Sequence, residues 1–507
     1  MTFALRETCL AEQKRQTSGG RTTAGRADVG DSTPRAARAV AFAGFIVYAL
    51  AAPHSIAGAW IGLSFVVLGW LVRLLLTRTT GIRRTALDLP VWLLFAWTVL
   101  SALLSAEPRV SLAKLVSVST FLIFYVTQGA LTRRAAVVVC AVLIASGVAG
   151  VLWSAAELAV GRGVVVARLA PDSPLRGATP LAEGDAVWRV GGRRVGSVEE
   201  IDDAIRRAPA GQKLTLSVIS RGEHVEWPGP LVTEEFKARP SPSGIEGGGH
   251  THRFRASGWT RHYETHAELL QMIAQLALAF ALTNYLRGKG RRASVLPAAA
   301  FLILGLGIAL TAMRTTLAAF AFGAFVVAWR AAPRGRARAW VASGVACALA
   351  LGALVVWTTR AGGALSLTDP SASLRLAVAR AALVRVPLHP VFGHGMDAVQ
   401  KHWAEWGFPG TDLLHTHSTP LQLAFDRGLP ALAFWLWLVA AFWLTAARAE
   451  RLWRDTDDAP THALTLGTLG ALAGFFASSL VNYNFGDAEV ALLFWWLAGA
   501  ITVGSRQ

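Results

Sequence analysis

The sequence has few charged residues for its length. Only 16% of its 507 residues are Asp, Glu, Lys or Arg, against about 25% in an average soluble protein. Cysteine is nearly absent, and two of the three, Cys140 and Cys347, lie in apolar runs, which argues against a disulfide framework. Since 53% of the chain is hydrophobic, the composition also excludes a disordered chain, a collagen and an ordinary cytosolic enzyme.

Acidic residues are scarcer than basic ones. The chain has 49 Lys and Arg against 32 Asp and Glu, a formal net charge of +17. In a soluble protein such an excess points to nucleic acid. In a membrane protein it arises from basic loops on the inner side of the bilayer. The positions of the arginines decide between the two.

Long apolar runs fill most of the chain after residue 38. Because many of them approach the roughly 20 residues that cross a bilayer, we expect an all-α polytopic membrane protein with about twelve transmembrane helices. The predicted spans are 38–53, 56–76, 89–105, 110–130, 135–158, 264–286, 294–311, 314–331, 338–357, 419–446, 462–481 and 487–503. Residues 1–38 are polar without a signal-peptide pattern, and a disordered cytoplasmic tail is expected there.

Basic residues concentrate in alternate connections between these spans. They are Arg73, Arg78, Arg83 and Arg84; Arg133 and Arg134; Arg287, Lys289, Arg291 and Arg292; Arg330, Arg334, Arg336 and Arg338; and Arg448, Arg451 and Arg454. This positive-inside pattern predicts that both termini are cytoplasmic and accounts for much of the charge without nucleic acid. It also places two long connections, 159–263 and 358–418, on the outer side.

The first outer connection has the composition of a small folded domain. Its β-type runs at Val164–Leu169, Ala186–Val190 and Leu214–Ser220 accompany one helical run at Val198–Arg207. With its S-P, G-D and V-x-G-x-x-V-x-S-x-E-E elements, segment 161–232 resembles a bacterial PDZ domain of the kind found in periplasmic proteases. The resemblance implies a small α+β fold that takes an extended peptide or a protein partner by strand addition. A domain that only props the neighbouring loops is the alternative.

The domain organisation follows from these runs. It comprises a tail at 1–38, transmembrane helices 1–5 at 39–158, the PDZ-like domain at 161–232, a Pro/Gly/Ser-rich linker at 233–262, helices 6–9 at 263–357, a periplasmic catalytic loop at 358–418 and helices 10–12 at 419–507.

Eleven of the twelve histidines lie on the predicted outer side. The tightest pair is His415 and His417, immediately before a helix that Ser418 or Thr419 could cap. Histidine is the side chain best suited to accept a proton near neutral pH. A helix N-terminus favours a bound anion.

Two arginines depart from the positive-inside pattern. Arg314 lies between two apolar runs on the outer side, and Arg375 lies in the second outer loop, followed by Arg380 and Arg385. A charge at the membrane edge is a functional candidate, and the planar guanidinium suits phosphate. Snorkelling of Arg314 and a solvated helix face for Arg375 are the alternatives.

A metal site is a competing interpretation of the histidines. His415/His417, His250/His252 and His262/His266 could each supply two ligands. The sequence has no H-E-x-x-H, and no outer Asp/Glu cluster stands at ligand spacing, so metal is disfavoured and no cofactor is predicted.

The second half of the chain resembles a known family. The residues that carry the resemblance are T-A-M-R-T-T-L-A-A-F around Arg314, S-L-R-L-A-V-A-R-A-A-L-V-R-V-P-L-H-P-V-F-G-H-G-M around Arg375, and H-T-H-S-T-P-L-Q-L-A-F-D-R-G-L-P from His415. They resemble the O-antigen ligase and O-antigen polymerase family of bacterial membrane glycosyltransferases. The sequence departs from the family pattern at Ser418, where Asn is frequent, and at Asp426, where Glu is frequent.

The resemblance implies a metal-independent transfer at the periplasmic face of the inner membrane. The donor would be a glycan on undecaprenyl diphosphate, and the acceptor a sugar hydroxyl on lipid A–core for a ligase or on a lipid-linked glycan for a polymerase. In this interpretation Arg314 and Arg375 bind the diphosphate and His417 is the base, supported by His415. Arg380, Arg385 and His394 are expected to contact the substrate.

Two other function classes remain open at this stage. A transporter or flippase for lipid-linked polysaccharide would favour internal repeats and interrupted helices in matching positions, and no such repeat is visible. A membrane anchor for the PDZ-like peptide-binding module would leave His415, His417 and the two outer arginines without a role.

Overall fold

A computed structural model describes residues 35–177, 179–220, 222–260, 262–341, 343–344, 370–410 and 415–504. The chain is mostly helical. Its helices are α1 (Arg35–Ala51), α2 (Ile56–Thr77), α3 (Asp88–Leu103), α4 (Pro108–Ala113), α5 (Leu115–Val118), α6 (Leu122–Ala130), α7 (Arg133–Val160), α8 (Val198–Arg207), α9 (Glu234–Ala238), α10 (Tyr263–Leu286), α11 (Arg291–Leu310), α12 (Arg314–Ala331), α13 (Pro370–Arg385), α14 (Ala398–His402), α15 (Thr419–Arg454), α16 (Ala459–Ser479) and α17 (Ala488–Gly504). Its strands are β1 (Val164–Leu169), β2 (Ala186–Val190), β3 (Arg193–Arg194), β4 (Lys213–Ser220), β5 (Glu223–Leu231) and β6 (Ile245–Gly247).

Six helical stretches of the described chain are long and apolar enough to cross a membrane. They are Ile56–Thr77, Pro108–Ala130, Arg133–Val160, Tyr263–Leu286, Arg291–Leu310 and Thr419–Arg454, and two shorter apolar helices are Asp88–Leu103 and Ala488–Val503. The expected membrane protein therefore has six candidate spans, while the total of about twelve stays a prediction. Most of the predicted span 338–357, and the tail up to residue 34, lie outside the described residues.

The basic connections meet at one end of the helical bundle. The Arg133 guanidinium lies 3.2 Å from the Asp458 carboxylate. Arg287 donates to the carbonyls of Trp453 at 3.2 Å and Arg454 at 2.9 Å. The connections that precede α7, α11 and α16 are thus on the same side, as a positive-inside topology requires.

Helix α10 is the central helix of the bundle. It packs against α7, α11, α12, α16 and α17, and most of its residues are buried, including both apolar and polar ones. A helix that is buried all round has to satisfy its polar side chains inside the protein. The polar residues of its first two turns therefore need partners from the surrounding elements.

Helix α15 is interrupted near its outer end. Gly428 has φ 80° and ψ 172°, which joins two helical pieces across a kink, although the sequence predicted one unbroken span. The outer loop fills the break, since Leu429 N–H donates to the Pro390 carbonyl at 2.8 Å and Gly395 N–H donates to the Asp426 carbonyl at 2.8 Å. Irregular backbone at this depth is tolerated because the loop satisfies the freed groups.

The first outer connection contains a small sheet. Its strands run in the order β5-β4-β2-β1-β6, with β3 paired to β2 and every pairing antiparallel. Strands β1, β2 and β4 lie where the β-type runs predicted them, whereas β3, β5 and β6 were not predicted. Their inward side chains form a separate core with α8, which includes Val166, Val187, Ile201, Leu216 and Val218.

The segment expected to be a linker is part of this sheet. Within 233–262 the chain forms α9 and then β6, which pairs with the outer edge of β1. The Asp202 carboxylate on α8 accepts from Ser243 N–H at 2.8 Å and fastens the segment to the helix. Composition missed this strand because backbone pairing does not depend on apolar side chains.

Backbone contacts join the insert to the membrane helices. Arg162 and Thr251 pair through two backbone hydrogen bonds of 2.9 and 3.2 Å, so the chain enters and leaves the sheet side by side. Further along, Ala256 N–H donates to the Leu310 carbonyl at 3.0 Å. The insert therefore has a defined position above α7 and α11.

Candidate active site

The two histidines of the H-T-H segment lie side by side at the start of α15. Ser418 caps the helix by accepting from Leu421 N–H, with Pro420 in the first turn. The rings of His415 and His417 are 4.5 Å apart and close to perpendicular, at 72°. His417 N–H donates to His415 Nδ1 at 3.3 Å, so the proton of a neutral His415 is on Nε2.

His417 has a left-handed backbone conformation, with φ 54°. Few residues other than glycine adopt it, and such strain persists where the surroundings enforce it, often at active sites. Hydrogen bonds of the residues on both sides of His417 hold this conformation. Thr416 N–H donates to Gln422 Oε1 at 2.7 Å, and Thr419 N–H donates to the Asn482 carbonyl at 3.2 Å.

Both histidines are held neutral at physiological pH. Burial, together with the neighbouring His415 and Arg375, lowers the pKa of His417 to about 3. Burial also lowers the pKa of His415 to about 4, with Arg375 as the second cause. A neutral imidazole has a lone pair that can accept a proton. The neighbouring Arg375 supplies a positive charge that can bind an anion.

Arg375, on α13, reaches across to α10 and to the connection between α16 and α17. Its guanidinium lies 3.5 Å from Asn482 Oδ1 and 3.5 Å from Glu264 Oε1. Its charge acts on both His415 and His417. The structure therefore brings this predicted site residue next to the histidine pair.

Arg314 begins α12 on the same side of the bundle. It follows Ala312, whose φ of 55° makes a tight left-handed turn out of α11. The next residue, Thr315, accepts from Asn482 Nδ2 at 3.3 Å. One amide side chain, that of Asn482, thus contacts both Arg375 and the segment that carries Arg314.

The remaining predicted residues have different surroundings. Arg385 donates to the Trp406 carbonyl at 2.6 Å, and its guanidinium lies over the ring of that residue. His394 is buried, stacks on Phe425 at 4.5 Å and contacts the Arg385 carbonyl at 3.1 Å. The Arg385 and His394 side chains therefore pack within the loop. Arg380 is exposed on α13.

A second cation and an apolar cavity flank the histidine pair on its other side. Lys114 pairs with Asp397 at 2.8 Å, and the Tyr483 ring lies 5.7 Å from the His415 ring. Lys114, Tyr483 and Arg427 line the polar part of a cavity whose other walls are mainly apolar side chains of α3 and α17. Tyr483 therefore lies between His415 and a cavity with mainly apolar walls.

The His250 and His252 side chains contact backbone carbonyls rather than each other. His250 Nδ1 contacts the Gly163 carbonyl at 2.6 Å, and His252 Nδ1 contacts the Leu158 carbonyl at 2.9 Å. His266 is buried within α10. Across the described ranges, no three His, Cys, Asp or Glu side chains are grouped as metal ligands would be.

Sequence reasoning missed several members of the site. Glu264, Asn482 and Tyr483 all contact a predicted site residue. A signal was present in the polar N-Y-N segment at 482–484, between two strongly apolar helices on the outer side. Only the fold shows which of these polar residues meet.

Comparison with known protein families matches the part of the chain that holds the candidate site. No curated protein matches the chain. Residues 299–436, which carry Arg314, Arg375 and both histidines, match the family described as O-Antigen ligase. The match supports an O-antigen ligase-like membrane glycosyltransferase.

Proposed function

We propose that the protein transfers a glycan from undecaprenyl diphosphate to a sugar hydroxyl at the periplasmic face of the inner membrane. The observation that carries the proposal is that the Asn482 side chain contacts both Arg375 and the Arg314 segment, while the charge of Arg375 acts on the neutral histidine pair. The family match covers the elements that supply the arginines and the histidines. We also propose that both termini lie in the cytoplasm, on the side of the basic connections.

Arg314 and Arg375 are proposed to bind the donor diphosphate. As the bond between the anomeric carbon and the phosphate oxygen breaks, the leaving diphosphate takes the electron pair and gains negative charge. Preorganised cations stabilise that charge in the transition state. The forked guanidinium also fixes the orientation of the phosphates.

His417 is proposed as the base that receives the proton of the acceptor hydroxyl. Its pKa of about 3 is too low for efficient proton transfer near neutral pH. A bound diphosphate brings negative charge next to the imidazole and offsets Arg375, which raises the pKa of His417 towards the working pH. The base is therefore activated when the donor is present.

The apolar cavity beside Tyr483 supports a lipid-linked substrate. An isoprenoid chain is insoluble in water and has to enter from the bilayer, and the cavity leads from apolar walls to Lys114 and Arg427. This arrangement would keep the hydrocarbon next to the membrane core while the diphosphate stays at the arginines.

Purified protein tests the proposal with lipid-linked glycan as donor and lipid A–core or a second lipid-linked glycan as acceptor. The wild type is expected to transfer, whereas Arg314→Ala and Arg375→Ala lose at least a hundredfold in kcat/KM. Near-normal turnover by both arginine variants would overturn the assignment.

A deletion strain separates the two acceptors. Full-length chains left on the lipid carrier identify a ligase. A single repeat attached to lipid A–core identifies a polymerase.

A further inference from the structure

A carboxylate is buried in the middle of the outer half of the bundle. Glu268, in the second turn of α10, is 3% exposed. A carboxyl group in such a place is costly unless hydrogen bonds replace the water that it loses. The sequence analysis did not single it out.

Four side chains donate to this one carboxyl group. Thr316 Oγ1 and Asn482 Nδ2 lie 3.1 Å from Oε1, and Asn484 Nδ2 lies 3.3 Å from Oε2. The Ser478 hydroxyl is the fourth donor. The donors come from the start of α12 and from the end of α16 with the connection that follows it.

Each of those elements leads to a residue of the proposed active site. Thr316 lies two positions after Arg314 on α12. Asn482, while donating to Glu268, accepts from Arg375.

A third set of hydrogen bonds connects the donors of Glu268 to the histidine segment. Asn484 Oδ1 accepts from Thr419 Oγ1 at 3.2 Å, and the Asn482 carbonyl accepts from the same hydroxyl at 3.1 Å. Thr419 is two residues after His417 and begins the helix that follows it. Through these donors, the Glu268 carboxyl group is therefore linked to Arg375 and to the segments that carry Arg314 and His417.

We propose that Glu268 is the positioning residue that holds Arg314, Arg375 and His417 in their relative positions. This inference rests on the proposed function, because it assigns how that site is kept in its productive geometry. Glu268 has no place for substrate between itself and its donors and does not act as an acid or base. Its role is exerted through Asn482, Asn484 and Thr316.

The variant Glu268→Gln tests this role in the full-length protein. Glutamine keeps the shape but offers one acceptor oxygen, and its NH₂ group faces side chains that also donate. A misplacement of about 1 Å can cost roughly a hundredfold in rate. We expect kcat to fall between tenfold and a hundredfold while the donor KM changes less than threefold, since both arginines remain.

Glu450→Gln is the matched control. Glu450 is also fully buried and sits at the opposite end of the bundle, where it pairs with Arg454 at 2.8 Å and with Arg330. It is expected to lower thermal stability at least as much as Glu268→Gln without changing kcat. A similar loss of kcat in both variants would show a general structural effect and would overturn the proposal.

A second readout does not depend on turnover. The rate at which diethyl pyrocarbonate modifies His417, followed by peptide mass spectrometry, reports whether the loop is held. We expect it to rise severalfold in Glu268→Gln and to stay at the wild-type rate in Glu450→Gln. Transfer absent from the wild type, together with this rise, would refute the proposed function and retain the positioning role.

The reverse result would overturn the positioning role alone. In that case Arg314→Ala would abolish transfer while Glu268→Gln had the wild-type kcat and the wild-type rate of His417 modification. Should Glu268→Gln not fold, Thr316→Val and Asn484→Ala each remove a single donor. Each is expected to lower kcat severalfold, and wild-type kcat in both would also refute the positioning role.

Discussion

Replacing His417 by asparagine removes the proposed base with little effect on the backbone. Position 417 has φ 54°, and Asn tolerates this conformation far better than Ala, for which it costs about 1–2 kcal/mol. The variant His417→Asn therefore separates chemistry from strain. His417→Ala would mix the two.

The expected loss follows from the surroundings of the ring. A general base contributes roughly 10²–10⁴ in rate, which corresponds to about 3–5 kcal/mol of barrier. The neighbouring His415 lies 4.5 Å away but cannot take over, because its Nδ1 accepts from the His417 backbone and its Nε2 carries the proton of the neutral ring. We therefore expect a loss of at least about a hundredfold.

Single-turnover transfer with donor-saturated protein measures this loss without a contribution from product release. His415→Asn is the comparison, with an expected loss of about tenfold, since it supports His417 and does not take the proton. A rate for His417→Asn within tenfold of the wild type would refute the base assignment. So would a larger loss in His415→Asn than in His417→Asn.

Five further predictions concern pH, the diphosphate, the helix break and metal, two of them on pH. Because burial lowers the pKa of His417 to about 3 in the free protein, kcat/KM should stay level from pH 8 to about 5, and a fall centred near 6.5 would contradict this environment. Thermal stability should decline below pH 6.5, because the histidine then takes up a proton in the unfolded chain but not in the folded one. Arg375→Lys should raise the donor KM more than tenfold while the melting temperature holds, since an ammonium cannot make the forked contact; an unchanged KM would exclude direct binding. Gly428→Ala should abolish folded protein in detergent, because its Cβ would lie 2.0 Å from the Val391 carbonyl oxygen, whereas Gly249→Ala, in open space, should behave as wild type. Turnover should be unaffected by EDTA, and a loss that one added metal restores would favour a metal site.

Much of the fold was accessible to sequence reasoning because the bilayer imposes a simple rule. Apolar runs near the membrane thickness predicted the helices, and the arginines in the connections predicted which ends lie together, as the pairing of Arg133 with Asp458 indicates. The residues that broke the charge pattern, Arg314 and Arg375, led to the candidate site.

Other features depend on contacts between residues that are far apart in the sequence. Glu268 and Asn482 are 214 positions apart, and a single Glu in an apolar helix carries no mark of its partners. The strand Ile245–Gly247 pairs through its backbone, which its Gly-rich sequence does not reveal. The break at Gly428 did have a signal, the G-L-P sequence inside an apolar run, but the length of that run favoured one continuous span.

The paired backbone at Arg162 and Thr251 has a consequence for how this molecule could have arisen and how it can be rebuilt. The two chain segments that join the insert to the membrane helices lie side by side and form a single attachment point. A domain whose own termini are adjacent can be exchanged there, because neither α7 nor the segment leading to α10 has to move. The inserted module is in this sense interchangeable, and its history can differ from that of the helices that carry it.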